Sequence, residues 1–326
     1  MFFLIATAAT VLPSIQREPG FVATVSVQEQ PAHRESATMA SSDIYYDKQW
    51  AIFKIMAPQA WEITSGDADV TIAVLDTGIN RTHEDLVGKV IAEINLTDST
   101  TVDDIYGHGT HIAGIIAATA NNGLGVAGLA YNCRLINVKV ADDSGVVWPS
   151  KVAKGIVWAV DNGADIINMS LFLPVPSRAL EEAVNYAWSN GAIVIAAAGN
   201  YIGTSPTYPA YYSNCIAVAA TDANDSIASW SGWGDWIDVA APGVSIYSTL
   251  PKNDYGSKSG TSMATAYVSG VAGLLFTLVN DENGNGFVND EVRLAIEHSC
   301  DETNIGGIGQ GRINAFEAVA EISASK

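Results

Sequence analysis

Val70-Thr71-Ile72-Ala73-Val74-Leu75, which runs directly into Asp76-Thr77-Gly78, decides the fold of this chain. The run is almost continuously apolar and rich in β-branched residues, which is typical of a strand buried on both faces of a parallel sheet. Asp76 stands where the strand ends, and side chains at that end project into the crevice above such a sheet. The stretch therefore predicts a central strand with a polar site at its end.

Helix and strand patterns alternate along the chain after this stretch. Short apolar strands separated by helices predict an α/β fold with a mainly parallel central sheet, covered by helices on both faces in three layers. The predicted elements are a helix near 111–120, a strand at 135–140, a helix at 150–162, a strand at 165–169, a helix at 177–190 and a strand at 193–197.

The first 42 residues differ from the rest of the chain. Residues 43–326 have the length and the apolar content of one α/β domain, whereas residues 1–42 are predicted to be a disordered leader or linker. Residues 2–12 resemble the apolar part of a secretory signal but lack the basic residues that normally precede it. Residues 21–27 show a short strand-like alternation.

The composition is acidic, with 35 Asp plus Glu against 16 Lys plus Arg and a net charge of −19. This charge disfavours binding to nucleic acid or to an anionic membrane, so neither is an expected partner. It suits cation binding, and it is equally the ordinary surface of a secreted or salt-adapted protein. We expect an extracellular location. Cys133, Cys215 and Cys300 lack metal-ligand spacing, and three cysteines cannot complete a disulfide framework.

Gly260-Thr261-Ser262-Met263-Ala264-Thr265-Ala266 precedes an apolar run at 267–278 that is predicted to be helical. A serine at a helix start has its hydroxyl near the positive end of the helix dipole, which suits a nucleophile, although serine is also a common N-cap. His108 lies between two glycines at the start of another predicted helix. With Asp76 these residues supply an acid, a base and a nucleophile. Their combination favours catalysis over three unrelated turn and cap residues.

Three segments resemble the signature segments of the subtilisin-like serine proteases, in that family's order of Asp, His and Ser. They are Asp76-Thr77-Gly78, His108-Gly109-Thr110-His111 and Gly260-Thr261-Ser262-Met263-Ala264-Thr265. The similarity covers roughly residues 43–320, and residues 57–61 and 208–214 resemble the thermitase branch of the family. The resemblance implies a three-layer α/β/α subtilisin-like fold.

The resemblance also implies a serine endopeptidase that acts on protein or peptide substrates. In this interpretation Ser262 attacks the scissile carbonyl, His108 takes its proton, and Asp76 orients and stabilises the imidazole. The amide of Asn200 and the backbone N–H of Ser262 would stabilise the oxyanion of the tetrahedral intermediate. The peptide bond between Tyr208 and Pro209 resembles the family's cis-proline turn.

Members of this family usually carry an N-terminal prodomain that assists folding and blocks the cleft. Residues 1–42 are too few for such a prodomain. Either they are its remnant, with residues 21–27 as its final strand, or the domain folds without help. The chain's own N-terminal segment is therefore an expected inhibitory partner.

Both walls of the implied substrate cleft depart from the family pattern. Phe172-Leu173 replaces a pair of glycines after Ser170-Leu171, and Gly145-Val146-Val147 replaces Gly-Ser-Gly. Glycines there let a substrate backbone lie against the strand as an added edge, so these side chains are expected to crowd it. The result is either an active protease with narrowed specificity or an occluded, weakly active or inactive peptide-binding homologue. The implied substrate-binding residues are Gly145, Val147, Ser170, Leu171, Phe172, Ala198 and Gly199.

Two segments are candidate calcium sites. One resembles the family's high-affinity site, and its hard oxygen ligands suit Ca²⁺, although a polar surface loop is the alternative. The other follows the first nine positions of an EF-hand-type loop but has Val292 at position twelve, where Asp290 or Glu291 would have to substitute; a plain Asx/Gly turn is the alternative. The implied ligands are Asp43, Asp85, Thr119, Asn122, Leu124 and Val126 at the first site and Asp281, Asn283 and Asn285 at the second.

Overall fold

The computed structural model describes residues 41–201, 203–303 and 305–324. A seven-stranded sheet, parallel throughout, lies at the centre of this part of the chain. This confirms the predicted α/β class. Nearly all of the predictions for residues 1–42 lie outside the described residues. The strands are β1 Thr71–Asp76, β2 Val90–Asn95, β3 Arg134–Lys139, β4 Ile166–Met169, β5 Ile193–Ala197, β6 Cys215–Thr221 and β7 Val239–Pro242.

The central strands are buried on both faces, as their continuous apolar runs predict. Alternate residues of β1 enter opposite cores: Ile72 and Val74 face one core, and Ala73 and Leu75 face the other. The strand order is β2-β3-β1-β4-β5-β6-β7. The strands β2 and β3 lie on one side of β1, and the later strands β4 to β7 lie on the other side. The crevice at the carboxyl ends of β1 and β4 is therefore the topological switch point, where α/β proteins bind ligands.

Helices cover both faces of the sheet and complete the three predicted layers. The helices are α1 Trp50–Lys54, α2 Ala57–Ala60, α3 Gly109–Ala117, α4 Pro149–Asp161, α5 Arg178–Ser189, α6 Thr261–Leu275, α7 Asn289–His298 and α8 Ala315–Ala324, and a 3₁₀ turn spans Tyr46–Lys48. The buried helices α3 and α6 pack together on one face of the sheet, and α4 and α5 pack together on the other.

A separate antiparallel hairpin, β8 Ile246–Leu250 and β9 Asp254–Lys258, packs against α3. The sequence analysis did not predict it, nor β2, β6 and β7. His111 joins α3 to this hairpin, because its Nε2 lies 3.1 Å from the carbonyl oxygens of both Ile246 and Gly256. Burial lowers the pKa of His111 to about 3, so the ring is neutral in the folded protein near neutral pH.

Candidate active site

Asp76 and His108 form a direct hydrogen-bonded pair at the carboxyl end of β1. The Nδ1 atom of His108 lies 2.8 Å and 2.9 Å from the two carboxylate oxygens of Asp76. The Asp76 side chain is 3% exposed and the His108 side chain is 22% exposed, so the imidazole reaches solvent while its partner does not. Burial lowers the pKa of His108, but the charge and hydrogen bond of Asp76 raise it by more, so the pKa lies above its ordinary value.

Asp104 fixes the start of α3 and hence the position of His108. Its Oδ1 accepts hydrogen bonds from the Gly107 backbone N–H at 2.7 Å and the Thr77 hydroxyl at 2.8 Å, and its Oδ2 accepts from the Thr110 N–H at 2.8 Å. A carboxylate at a helix start satisfies otherwise unpaired N–H groups and suits the positive end of the dipole. Gly109 is also needed, since a Cβ there would lie 3.0 Å from the Cβ of Asp76. The sequence analysis missed Asp104.

Ser262 is the second residue of α6 and is 7% exposed. Its hydroxyl donates to the backbone carbonyl of Ser170 at 3.0 Å. A hydroxyl has one proton, so in this arrangement that proton is not donated to His108. Catalytic hydrogen bonds are often formed only when substrate is bound, so this resting geometry is compatible with a nucleophilic role.

Asn200 lies at the other side of Ser262, in the turn after β5. Its Oδ1 accepts hydrogen bonds from the Thr261 backbone N–H at 2.8 Å and the Thr261 hydroxyl at 2.9 Å. These contacts fix which end of the amide is the acceptor, so the NH₂ end faces away from Thr261. An amide donor beside a candidate nucleophile can stabilise a developing oxyanion.

The four predicted catalytic residues line one cavity of about 380 Å³ at the switch point. Tyr106, which the sequence analysis missed, contributes to its wall: a Cβ on Gly145 would lie 3.1 Å from the Tyr106 ring. The cavity is therefore open enough to receive part of a peptide, although aromatic groups bound it. Its lining residues are Asp76, Thr77, Tyr106, His108, Ala141, Gly145, Val147, Ser170, Leu171, Phe172, Asn200 and Ser262.

The two bulky residues that replace the glycine pair have different positions. Phe172 lines the cavity, with its ring centroid 5.7 Å from that of Tyr201. Leu173 is 7% exposed in the core and pairs with Tyr208 through two backbone hydrogen bonds, so the expectation that it crowds the cleft is wrong. Gly199 lies behind Phe172, since a Cβ on Gly199 would be 3.4 Å from its ring, and Ala198 is fully buried.

A model of the subtilase family matches residues 67–313. The chain belongs to the subtilase family. Thermitase from Thermoactinomyces vulgaris is 47% identical over 284 residues, covering 85% of this chain and 98% of thermitase. Subtilisin Savinase from Lederbergia lenta is 42% identical over 272 residues, covering 82% of this chain and 97% of the relative. These relatives confirm that the chain is a subtilisin-like serine endopeptidase.

A solved structure of a protease from Pseudoalteromonas arctica has the same fold as this subtilase. The TM-score is 0.79 at 30% identity, with 86% of this chain and 99% of the other covered. Similarity to a thermophilic serine proteinase from a Bacillus species extends over 297 residues at 43% identity, which is 89% of this chain and 72% of that protein. The predicted family and its three-layer fold are thus confirmed.

The first candidate calcium site of the subtilase lies where a loop meets Asp43 and Asp85, which are 5% and 0% exposed. Asp43 accepts hydrogen bonds from the backbone N–H groups of Asn121 and Asn122 at 2.9 Å and 3.0 Å. Asp85 accepts from the Asn122 side chain at 2.8 Å and the Val126 N–H at 2.9 Å. The loop that carries Thr119, Asn122, Leu124 and Val126 is thus held between two buried carboxylates.

The second candidate site is the loop before α7. Asp281 accepts hydrogen bonds from three successive backbone N–H groups at residues 284–286, at 2.8 Å, 3.1 Å and 2.8 Å. The side-chain amides of Asn283 and Asn285 donate to Asp290 at 2.7 Å and 3.0 Å. Val292, by contrast, is fully buried in the core.

Metal-type clusters of three or more His, Cys, Asp or Glu side chains do not occur in the part of the chain that the structure describes. Any calcium site there would need amide and carbonyl oxygens beside its carboxylates, which is the donor set that both loops offer. Within the same residues, no helix is long and apolar enough to cross a bilayer.

Proposed function

We propose that this subtilase hydrolyses peptide bonds through a triad of Asp76, His108 and Ser262 and an acyl-enzyme intermediate. The observation that carries the proposal is that the hydrogen-bonded Asp76–His108 pair lines the same cavity as Ser262. The Ser262 hydroxyl turns from the Ser170 carbonyl to His108, which takes its proton as the oxygen attacks the substrate carbonyl. His108 then gives the proton to the leaving amine, and water hydrolyses the acyl-enzyme by the reverse sequence.

Asp76 and Asn200 have supporting roles in this mechanism. The carboxylate of Asp76 holds the proton of His108 on Nδ1, which leaves Nε2 as the base, and it stabilises the imidazolium that forms. The NH₂ group of Asn200 and the backbone N–H of Ser262 stabilise the oxyanion, and losing one such donor costs about 2.7–4 kcal/mol of transition-state stabilisation.

The peptide substrate is proposed to lie in the cavity between two walls. Gly145 and Val147 form one wall, and Ser170, Leu171 and Phe172 form the other. Gly199 lies behind Phe172, and Ala198 precedes Gly199 in the chain. An extended peptide could hydrogen-bond to the backbone of these wall segments. The alternative is that the cleft is occluded and the protein binds peptides without cleaving them. The labelling experiment distinguishes the active protease from this occluded homologue.

An active-site fluorophosphonate tests the triad. We expect the folded protein to be labelled at Ser262, as located by peptide mapping, and the Ser262→Ala variant to remain unlabelled. Ser257→Ala is a matched control because Ser257 is an exposed serine outside the cavity. Folded protein that binds peptides yet resists labelling would contradict the triad and support the occluded homologue.

We further propose that Ca²⁺ stabilises the protein at the two loops. At the first, the side chains of Asp43, Asp85 and Asn122 and the carbonyls of Thr119, Leu124 and Val126 would hold the ion. Buried carboxylates are costly unless compensated, and the described ion pairs include neither Asp43 nor Asp85. A bound Ca²⁺ supplies positive charge that joins this loop to Asp43 and Asp85.

At the second loop, Asp281, Asn283 and Asn285 would bind Ca²⁺ together with carboxylates from the start of α7. Asp290 Oδ1 and Glu291 Oε2 are buried and have no hydrogen-bond partner among the described residues. Orphaned carboxylate oxygens beside a loop of amide and carboxylate donors suit a cation. The proposal therefore adds Asp290 and Glu291 to the ligands, in place of the missing position twelve.

An extracellular location and inhibition by the chain's own N-terminal segment stay predictions. The acidic composition and the family support the first. The second concerns residues outside the described ranges.

A further inference from the structure

A buried chain of three polar side chains connects strand β4 to helix α6 directly behind Ser262. Ser269 donates its hydroxyl proton to Asn168 Oδ1 at 2.9 Å, and Asn168 Nδ2 donates to the Ser170 hydroxyl oxygen at 3.0 Å. Ser170 in turn donates to the backbone carbonyl of Ser262 at 2.8 Å. Exposure is 0% for Ser269 and Asn168 and 4% for Ser170, so these bonds are shielded from water. A fully satisfied buried network of this kind orders the groups that it joins.

The hydrogen bonds of this side-chain network all run in one direction, from Ser269 to Ser262. Because the Ser170 oxygen accepts from the amide of Asn168, its single proton is directed to the carbonyl of Ser262. Ser269 lies two helical turns after Ser262, so both ends of the chain fall on the same face of α6. Asn168 belongs to the centre of the sheet, where it is in register with Val74 and Ile195 of the neighbouring strands. The start of α6 is thus tied to a buried strand that is paired on both sides.

Ser170 and Ser262 also form a reciprocal pair. The Ser170 hydroxyl holds the carbonyl of Ser262, and the Ser170 carbonyl accepts the hydroxyl of Ser262 at 3.0 Å. For catalysis the Ser262 hydroxyl must leave that carbonyl and turn to His108. Its backbone must stay in place while it does so, because a small displacement of a reacting group costs rate.

We propose that Ser170, oriented by Asn168 and Ser269, is a positioning residue that holds the backbone of Ser262 while its hydroxyl rotates between the Ser170 carbonyl and His108. The proposal rests on Ser262 being the nucleophile. It assigns the Ser170 side chain to catalytic alignment in addition to the contact that its backbone offers to substrate. It also gives two residues without a local sequence motif, Asn168 and Ser269, a part in the reaction.

Ser170→Ala removes the hydroxyl and leaves the carbonyl. We expect kcat and the rate of fluorophosphonate labelling of Ser262 to fall about tenfold, the change that corresponds to one net hydrogen bond. KM and the pH of the acidic limb should change little, because the variant keeps the Ser170 backbone that is proposed to face the substrate and leaves the Asp76–His108 pair intact. Ser248→Ala is the matched control: its hydroxyl is fully buried and donates to the His111 carbonyl at 2.8 Å. It should lower the melting temperature similarly but leave labelling at the wild-type rate.

Ser269→Ala tests whether Ser269, Asn168 and Ser170 act together as one hydrogen-bonded network. It should slow labelling by less than Ser170→Ala, and the double variant should label no more slowly than Ser170→Ala alone, because the chain is already broken. Melting temperatures are compared in a Ser262→Ala background to prevent self-digestion. If wild-type protein labels and Ser170→Ala labels equally fast, or if the two effects multiply, the positioning role is wrong. If wild-type protein does not label, the nucleophile assignment is wrong and this proposal fails with it.

Discussion

In the proposed mechanism, the protonation of His108 sets the pH range in which Ser262 can be activated. Only a neutral imidazole can accept the serine proton, and the pKa of His108 is raised above its ordinary value because the charge and hydrogen bond of Asp76 outweigh the effect of burial. We predict that kcat/KM falls as the pH is lowered through this raised pKa, as measured on a peptide substrate. Asp76→Asn should lower kcat on the order of 10⁴-fold, because the wrong tautomer is then favoured. A wild-type profile that does not fall at acidic pH would contradict the pairing.

Phe172 lines the cavity, and we predict that its ring limits how much of the cleft a substrate can use. Since a cavity of about 380 Å³ persists beside its ring, we predict that Phe172→Gly and Val147→Gly broaden the range of peptides cleaved and leave labelling by a small fluorophosphonate nearly unchanged. Val146→Gly is the control, because Val146 is a neighbouring residue that is 48% exposed and outside the cavity lining. A many-fold rise in labelling of the glycine variants would show that occlusion limits the wild-type protein.

His111 makes the contact between α3 and the β8–β9 hairpin sensitive to acid. The unfolded chain binds a proton at this residue near pH 6.5, but the folded protein does so only at about pH 3. Between these values the unfolded state holds one more proton, so stability falls as the pH falls. In a Ser262→Ala background, His111→Gln should reduce the slope of the unfolding free energy against pH by about 1.4 kcal/mol per pH unit.

The elements that the sequence predicted well are those with a complete local signal. The strands β1, β3, β4 and β5 are continuous apolar runs between helical patterns, and their predicted and observed bounds agree within about one residue. Of the strands that were missed, β6 has the same continuous apolar run and is fully buried, so its signal was present and overlooked. Two of the others lack this signal. β2 is only partly buried, and β9, Asp254–Lys258, is polar and half-exposed, so its pairing depends on the partner strand and on α3.

The same distinction holds for the site. The segments around Asp76, His108 and Ser262 have family signatures, and the structure brings them together. Asp104 and Asn168 carry no motif, because a residue that supports another across the fold is recognised only by the contact it makes. Burial of Leu173 was likewise missed, since it depends on the backbone pairing with Tyr208.

We predict calcium dependence at the scale of the whole molecule, because the net charge is −19 and carboxylates flank both candidate loops. We predict that stripping bound metal from Ser262→Ala protein with a chelator lowers its melting temperature and that added Ca²⁺ restores it. A site that is filled at 100 times its dissociation constant contributes about 2.7 kcal/mol. NaCl at matched ionic strength separates site binding from the screening of surface charge.

Single variants divide this calcium effect between the two loops. Asp85→Asn should remove the part that depends on the first loop, and Asp281→Asn the part that depends on the second, so that the double variant no longer responds to Ca²⁺. Asp235→Asn makes the same charge change at an exposed residue outside both loops and should keep the full response. If the Ca²⁺-dependent shift of the Asp281→Asn variant equals that of its parent, the second loop is an Asx/Gly turn without a bound ion. If NaCl reproduces the whole shift, neither loop binds Ca²⁺, and the acidic surface alone accounts for the stabilisation.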